Sequence, residues 1–210
     1  VRIRDEESAR AYVAEIGGKE SLEPLQMLED ELRQENVLQN LVAKNSLECV
    51  WQRHIADSAQ LIGHAERSTR PWMDLGSGAG FPGLVIAALR PEIPVILVES
   101  RKRRIDWLER MKSKMQLDNC RIEGARLEQV ETFEAGVITA RAFAPLDRLL
   151  ALSARFSTSR TRWVLPKGRS AAQEVAALSK FGRKMFHVEQ SLTDNEAGIV
   201  VGTGKWSEKS

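Results

Sequence analysis

The chain has little with which to build a disulfide framework or a zinc site. Its two cysteines, Cys49 and Cys120, lie far apart and form no CxxC pair. That argues against both features and fits a reducing cytoplasm. The three histidines, His54, His64 and His187, have no metal-ligand spacing, so no metal is expected. Long apolar runs are also missing. Stretches such as Gly83 to Leu89 fall far short of the roughly 20 residues that span a bilayer, so no membrane partner is expected. No basic-then-apolar leader opens the chain, which argues against secretion. The first residue is Val1, as in a truncated or processed start. Excess charge is small, with 31 basic and 29 acidic residues for a net +2. Any electrostatic footprint for nucleic acid must therefore come from local clustering.

What is present is an apolar fraction of 42% in 210 residues, enough for one α/β domain with a modest extension. Residues 1 to about 65 read as a helical N-terminal cap. Glu7 to Ile16 suits one helix. Ser21 suits the N-cap of a second, in which Leu25, Leu28 and Leu32 recur at helical spacing, and Ser46 suits the cap of a third carrying Arg53, His54 and Asp57. From residue 71 short apolar runs alternate with amphipathic segments. Pro71–Leu75, Val95–Glu99, Cys120–Ala125, Val137–Arg141 and Trp163–Pro166 read as strands; Phe81–Leu89, Arg101–Leu117, Leu146–Arg155 and Ala171–Phe181 read as helices. Such alternation implies parallel strands with right-handed crossovers. Lys184–Gln190 and Gly198–Val201 suit a terminal β-hairpin. The expected fold is one α/β domain over residues 1–210, with a Rossmann-like, mostly parallel core over 71–203.

The richest segment is Asp74-Leu75-Gly76-Ser77-Gly78-Ala79-Gly80-Phe81-Pro82-Gly83. Alternating glycines between a strand and a helix permit positive φ and let a ligand touch backbone. An ordinary tight turn would also use glycine, but three in alternation are costly without a ligand. Two frames compete. Gly78, Gly80 and Gly83 satisfy the dinucleotide fingerprint GxGxxG, which would make the chain an NAD-dependent oxidoreductase. The earlier frame, Asp74-x-Gly76-x-Gly78-x-Gly80, starts where the strand stops and places a carboxylate at its end. A pyrophosphate would be repelled by Asp74. The sulfonium and ammonium of S-adenosylmethionine would be attracted by it, which favours a methyltransferase. Glu99 ends the second strand and can accept both ribose hydroxyls of either cofactor.

Absent motifs narrow the chemistry. No Asn/Asp-Pro-Pro-aromatic follows the fourth strand, as exocyclic amine methylation usually requires, and neither cysteine lies where a pyrimidine-attacking nucleophile would. Guanine N7 already carries a lone pair, so positioning can supply most of its catalysis. Basic residues cluster at Arg101–Arg104 and again around Lys167 and Arg169. A run of this kind equally suits a solvated helix face.

Together these motifs resemble the RsmG (GidB) family of bacterial 16S rRNA guanine-N7 methyltransferases. The likeness runs from about Asn40 to Lys180. It comprises Asn40-Leu41, Arg53-His54-Ile55-x-Asp57-Ser58, the glycine loop, Glu99-Ser100, Arg103-Arg104 with Trp107-Leu108, Arg141-Ala142-Phe143-Ala144 with Leu146, and Lys167-Gly168. The resemblance implies methyl transfer from S-adenosylmethionine to a guanine in the 530 loop, with 16S rRNA or the small subunit as partner to a cytoplasmic, monomeric enzyme. It implies that Gly76, Gly78 and Phe81 line the cofactor site with Asp74, Gly80 and Glu99, that Leu127 and Glu128 flank adenine, and that Arg141 faces the cofactor. Arg53, His54, Arg103, Arg104, Lys167 and Arg169 become RNA-side candidates, and Arg141 and His54 the catalytic ones. A lone histidine in an amphipathic helix more often makes a structural bond, here for example to Asp57, than it catalyses, and the lesser alternative for Arg141 is a buried pair with Asp74 or Glu128. The family often has Lys in place of Arg103 and Asp in place of Glu99, and both exchanges keep the charge. Thr or Ile often stands where this chain has Val42. Gly202–Ser210 matches little and is expected to be disordered. Two other readings stay open: a non-catalytic ribosome-assembly protein that binds rRNA, and a small-molecule methyltransferase.

Overall fold

The structure, a computed structural model, describes residues 2–65 and 70–207. A seven-stranded sheet runs in the order β3-β2-β1-β4-β5-β7-β6. Strands β1 (Trp72–Leu75), β2 (Val95–Val98), β3 (Cys120–Glu123), β4 (Val137–Ala140) and β5 (Arg162–Gly168) are mutually parallel. β7 (Gly198–Thr203) lies antiparallel between β5 and β6 (Phe186–Gln190). The expected terminal hairpin thus forms, and its second strand is the one that joins the sheet.

Side-chain alternation explains why these strands read as continuous apolar runs. Trp72, Val95, Leu97, Val137, Val164, Ile199 and Val201 belong to one core cluster. Met73, Leu75, Val98, Ile138, Ala140, Trp163, Leu165 and Val200 belong to another. Successive residues point to opposite faces, and both faces are covered, so neither face needs polar residues. Helices α4 (Gly83–Leu89) and α5 (Lys102–Lys114) return the chain from β1 to β2 and from β2 to β3, and α6 (Leu146–Ser153) follows β4.

The cap comprises α1 (Glu6–Gly17), α2 (Leu22–Leu38) and a continuous helical stretch of changing pitch. Trp51–Ala56 is π-helical, Asp57–Ala59 (α3) is α-helical and Gln60–His64 is 3₁₀. Leu25, Leu28, Leu32, Trp51 and Ile55 are fully buried in the same cluster as Trp72 and Leu97. At roughly 1.5–3 kcal/mol for each large apolar side chain buried, this seam strongly favours the docked cap.

Several local expectations are corrected. Ser21 does not cap α2: its backbone is already helical, and its hydroxyl donates to the Gly18 carbonyl. Ser46 does not cap the third helical stretch either, because it lies inside a 3₁₀ turn, Lys44–Cys49. The donors at Trp51 N and Gln52 N go instead to the two carboxylate oxygens of Glu6, on α1. The helix expected over Ala171–Phe181 is two, α7 (Ala171–Ala176) and α8 (Lys180–Met185), because Ser179 is extended and its side chain accepts from Gly182 N. The end of the chain is ordered further than expected. β7 continues to Thr203, Gly204 N donates to Thr161 O, and Trp206 is buried against the second cluster. Residues 208–210 of that stretch lie outside the described residues.

Candidate active site

The carboxyl ends of β1, β2 and β4 meet at one edge of the sheet. Gly76 N and Ser77 N both donate to Val98 O, which extends the β1–β2 ladder into the glycine loop. Gly76 and Gly78 have φ of 65° and 55°, the left-handed region where a Cβ is disfavoured. A Cβ at Gly76 would also sit 2.7 Å from the Phe143 ring. Gly76 is the partly exposed glycine of this loop, with the Phe143 ring packed on its side-chain face.

Asp74 is fully buried beneath the loop. Its Oδ1 accepts from Thr139 Oγ1 at 3.0 Å and its Oδ2 from Gly83 N at 3.2 Å. Trp72 Nε1 donates in turn to Thr139 Oγ1. Burial pushes the Asp74 carboxyl up to about 6, against the pull of its hydrogen bonds. The carboxylate expected to face the cofactor's cationic groups therefore tethers the start of α4 to β1 and β4. Glu99 is differently placed. Its Oε1 accepts from Ser100 N and Arg101 N at 2.8 Å each, and its Oε2 from Gly78 N at 3.0 Å. A carboxylate has about four acceptor positions, so at least one remains for a ribose hydroxyl. Leu127 is buried and Glu128 exposed, on a 3₁₀ turn (Leu127–Gln129). A partly exposed glycine, a strand-end carboxylate with acceptor capacity and an apolar–acidic pair beyond β3 fit S-adenosylmethionine.

Across the edge from Glu99, the cap meets β4. His54, on the π-helical turn, stacks on Phe81 with ring centroids 5.0 Å apart and planes 22° from parallel. Arg141 Nη1 lies 3.1 Å from His54 Nδ1 and 3.9 Å from Asp57 Oδ2, and its guanidinium lies 5.3 Å from the centre of the Phe81 ring. Arginine can only donate, so Nδ1 accepts and the proton sits on Nε2, which donates to Ser46 Oγ at 2.8 Å. Ser46 Oγ in turn donates a hydrogen bond to Ala43 O. Burial, reinforced by the Arg141 and Arg53 charges, lowers the His54 pKa to about 3. His54 is therefore neutral near pH 7, with both ring nitrogens engaged.

Ser46, Arg53, His54, Asp57 and Arg141 line a cavity of about 930 Å³ between the cap, the loop after β4 and the end of β5. Its carboxylates are engaged internally. Asp57 accepts from Gln60 and Thr193, Glu174 from Ser170 and Leu146 N, and Asp194 from Glu196 N. Ala142, directly after Arg141, has φ of 51°, a strained value for a residue with a Cβ.

The RNA-side candidates divide. Lys167 is only 8% exposed; its ammonium lies 3.0 Å from Glu174 and donates to Ala144 O, so it braces the loop after β4 instead of facing solvent. Arg169 is exposed but paired with Glu196, and Arg53 is exposed and 3.9 Å from Asp194. Arg103 is exposed and donates to Leu38 O. Arg104 lies close to Gly78 on the cofactor side. His54 bonds Ser46 and not Asp57, and Arg141 pairs with Asp57 and not with Asp74 or Glu128. The site roles of Ser46, Thr139 and Phe143 are not legible in the sequence. Thr139 and Phe143 meet partners more than 60 residues away, and the Ser46–His54 bond crosses a 3₁₀ turn and a π-helical turn.

The sheet order separates the two cofactor readings. A dinucleotide-binding sheet runs 3-2-1-4-5-6. Here a reversed strand enters between the fifth and sixth positions, which together with the glycine loop and Glu99 defines a Rossmann-like S-adenosylmethionine-dependent methyltransferase. The oxidoreductase reading is set aside on that ground. A methyltransferase structure from Aquifex aeolicus has a similar fold, with a TM-score of 0.57 over 81% of this chain and 98% of its own at 11% identity. Residues 21–196 match the GidB family, rRNA small subunit methyltransferase G, and the chain belongs to it. It is 60% identical over 203 residues to the ribosomal RNA small subunit methyltransferase G of Erythrobacter litoralis, covering 97% of this chain and 98% of that one. The protein of that name from Sphingopyxis alaskensis is 49% identical over 210 residues, covering 99% and 90%. Among the described residues no helix is long and apolar enough to cross a membrane.

Proposed function

We propose that the chain, acting as one monomeric domain in the cytoplasm, methylates N7 of a guanine in the 530 loop of small-subunit rRNA. S-adenosylmethionine supplies an electrophilic methyl group. In this reading Glu99 accepts from the ribose, the Gly76 backbone approaches the methionine moiety, and Leu127 and Glu128 flank adenine. The cavity beside Arg141 receives the flipped base, whose Watson–Crick edge is read while N7 stays free.

One observation carries the choice of N7. His54, the candidate base, has its acceptor nitrogen filled by Arg141, and the cavity's carboxylates are held in internal contacts. A nucleophile that arrives with its lone pair exposed needs no proton removed, and N7 is such an atom. Arg141 then acts by position, fixed between Asp57, His54 and Phe81.

The test is transfer of labelled methyl to small-subunit rRNA, naked and in assembled subunits, with the modified base mapped. Label at N7 of a 530-loop guanine is expected. Label at another atom would overturn the N7 assignment. RNA binding without transfer would favour the non-catalytic assembly reading.

A further inference from the structure

Away from the cavity, a groove of about 490 Å³ runs between the end of α2 and the start of α5. One wall carries Val37 and Leu38, 85% and 68% exposed, the two most exposed large apolar side chains among the described residues. The opposite wall is Arg101, Lys102, Arg103 and Arg104, and no carboxylate lines the groove.

Placing four cations at the amino end of a helix opposes the helix dipole, which favours acids there. α5 has no acid in its first turn, and Arg101 offers no side-chain cap. The remainder of the same helix behaves differently. Arg110 pairs with Glu35 and Lys114 with Glu31, both on α2. The two helices thus pair Arg110 and Lys114 distally and leave the proximal cations open: among the described residues Arg101, Arg103 and Arg104 have no carboxylate partner, and Lys102 has only the exposed Asp106. The Arg103–Leu38 O bond and the Gln39–Arg103 O bond hold the two walls in register. The groove also leads to the cofactor loop, since Arg104 lies by Gly78.

We infer that this groove binds the sugar–phosphate backbone of the substrate RNA, with Arg101, Lys102 and Arg103 on phosphates and Val37 and Leu38 against sugar or an unstacked base. The inference rests on the rRNA reading above and names a surface for it. Its position favours RNA over an acidic protein, because a strand lying here would continue directly to the methyl donor.

Binding of small-subunit rRNA is measured against salt for the wild type, for the triple variant Arg101→Ala/Lys102→Ala/Arg103→Ala and for Val37→Asp/Leu38→Asp. Three lost contacts at about 0.7 log units each should make the triple variant's salt slope shallower by about 2. The Asp pair alters solvent-facing side chains and should weaken RNA binding, while cofactor affinity by calorimetry stays within about twofold in both. A wild-type slope and affinity in both variants would overturn the groove and leave the rRNA reading intact. Failure of the wild type itself to bind rRNA would defeat both, and tighter binding of an acidic protein than of RNA would assign the groove to that partner.

Discussion

Replacing Glu99 with Gln tests the geometry of the cofactor site most directly. The carboxylate is 5% exposed and accepts three backbone N–H groups, two at the start of the chain leading into α5 and one from Gly78. Hydrogen bonds to a charged acceptor contribute about 1.5–3 kcal/mol and neutral ones about 0.5–1.5. In the variant, the amide oxygen can keep the Ser100 and Arg101 donors as neutral bonds, a loss of about 1 kcal/mol each. The amide NH₂ then faces the Gly78 N–H, donor against donor, which costs about 1–3 kcal/mol more. Destabilisation of about 3–5 kcal/mol follows, or roughly 10 °C in Tm for a chain of this size at about 2–4 °C per kcal/mol. Cofactor affinity should fall about 10–100-fold through the ribose bond alone. Thermal unfolding without ligand and calorimetric titration with S-adenosylmethionine measure the two effects separately. Glu99→Asp keeps the charge and should recover part of the affinity. A Tm within 2 °C of wild type would refute the three-donor account, and unchanged cofactor affinity would refute the ribose assignment.

Asp74 and His54 should leave opposite marks on acid stability. The Asp74 pKa rises from 3.8 to about 6 on folding, so its contribution is fully present below about pH 3.8 and is lost as pH climbs through 6. At about 1.4 kcal/mol per pKa unit this is about 3 kcal/mol. Urea titrations of Asp74→Asn should therefore show stability falling less than wild type between pH 4 and 7, and parallel curves would refute the shift. His54 falls from 6.5 to about 3, so its contribution is present above pH 6.5 and is lost as pH drops towards 3. His54→Asn should flatten that acid limb, while an unaltered limb would mean the ring is not held neutral. Lys167→Met should lower stability by about 2 kcal/mol by unpairing Glu174 while leaving the salt slope of RNA binding unchanged. A shallower slope would return Lys167 to the RNA surface.

The parts of this fold that could be read from sequence are those whose signal is local. β1, β2 and β4 are almost wholly apolar, with only Asp74 and Thr139 polar, because both faces of the sheet are buried, and the left-handed turns at Gly76 and Gly78 call for glycine at those positions. Glu99 is visible because a strand simply ends there. The remainder depends on contacts that no local pattern encodes. Glu6 caps a helix 45 residues away, and Arg141 meets His54 across 87 residues. His54 bonds Ser46 and not Asp57, and it sits on a π-helical turn, which spacing rules for an α-helix do not describe. Lys167 follows the same logic: in sequence it is a cation after a strand, and only the packing of α7 beneath it turns it inward to Glu174. The outcome bears on the chemistry. The cap supplies His54, which fixes Arg141, and Arg141 lies at the end of β4 only a residue from the strained Ala142 and next to the Phe143 that covers Gly76. In the proposed reading the cap therefore positions the acceptor side of the site from outside the sheet. Variants in its seam, such as those at Ser46, should affect methyl transfer more than they affect cofactor binding at Glu99.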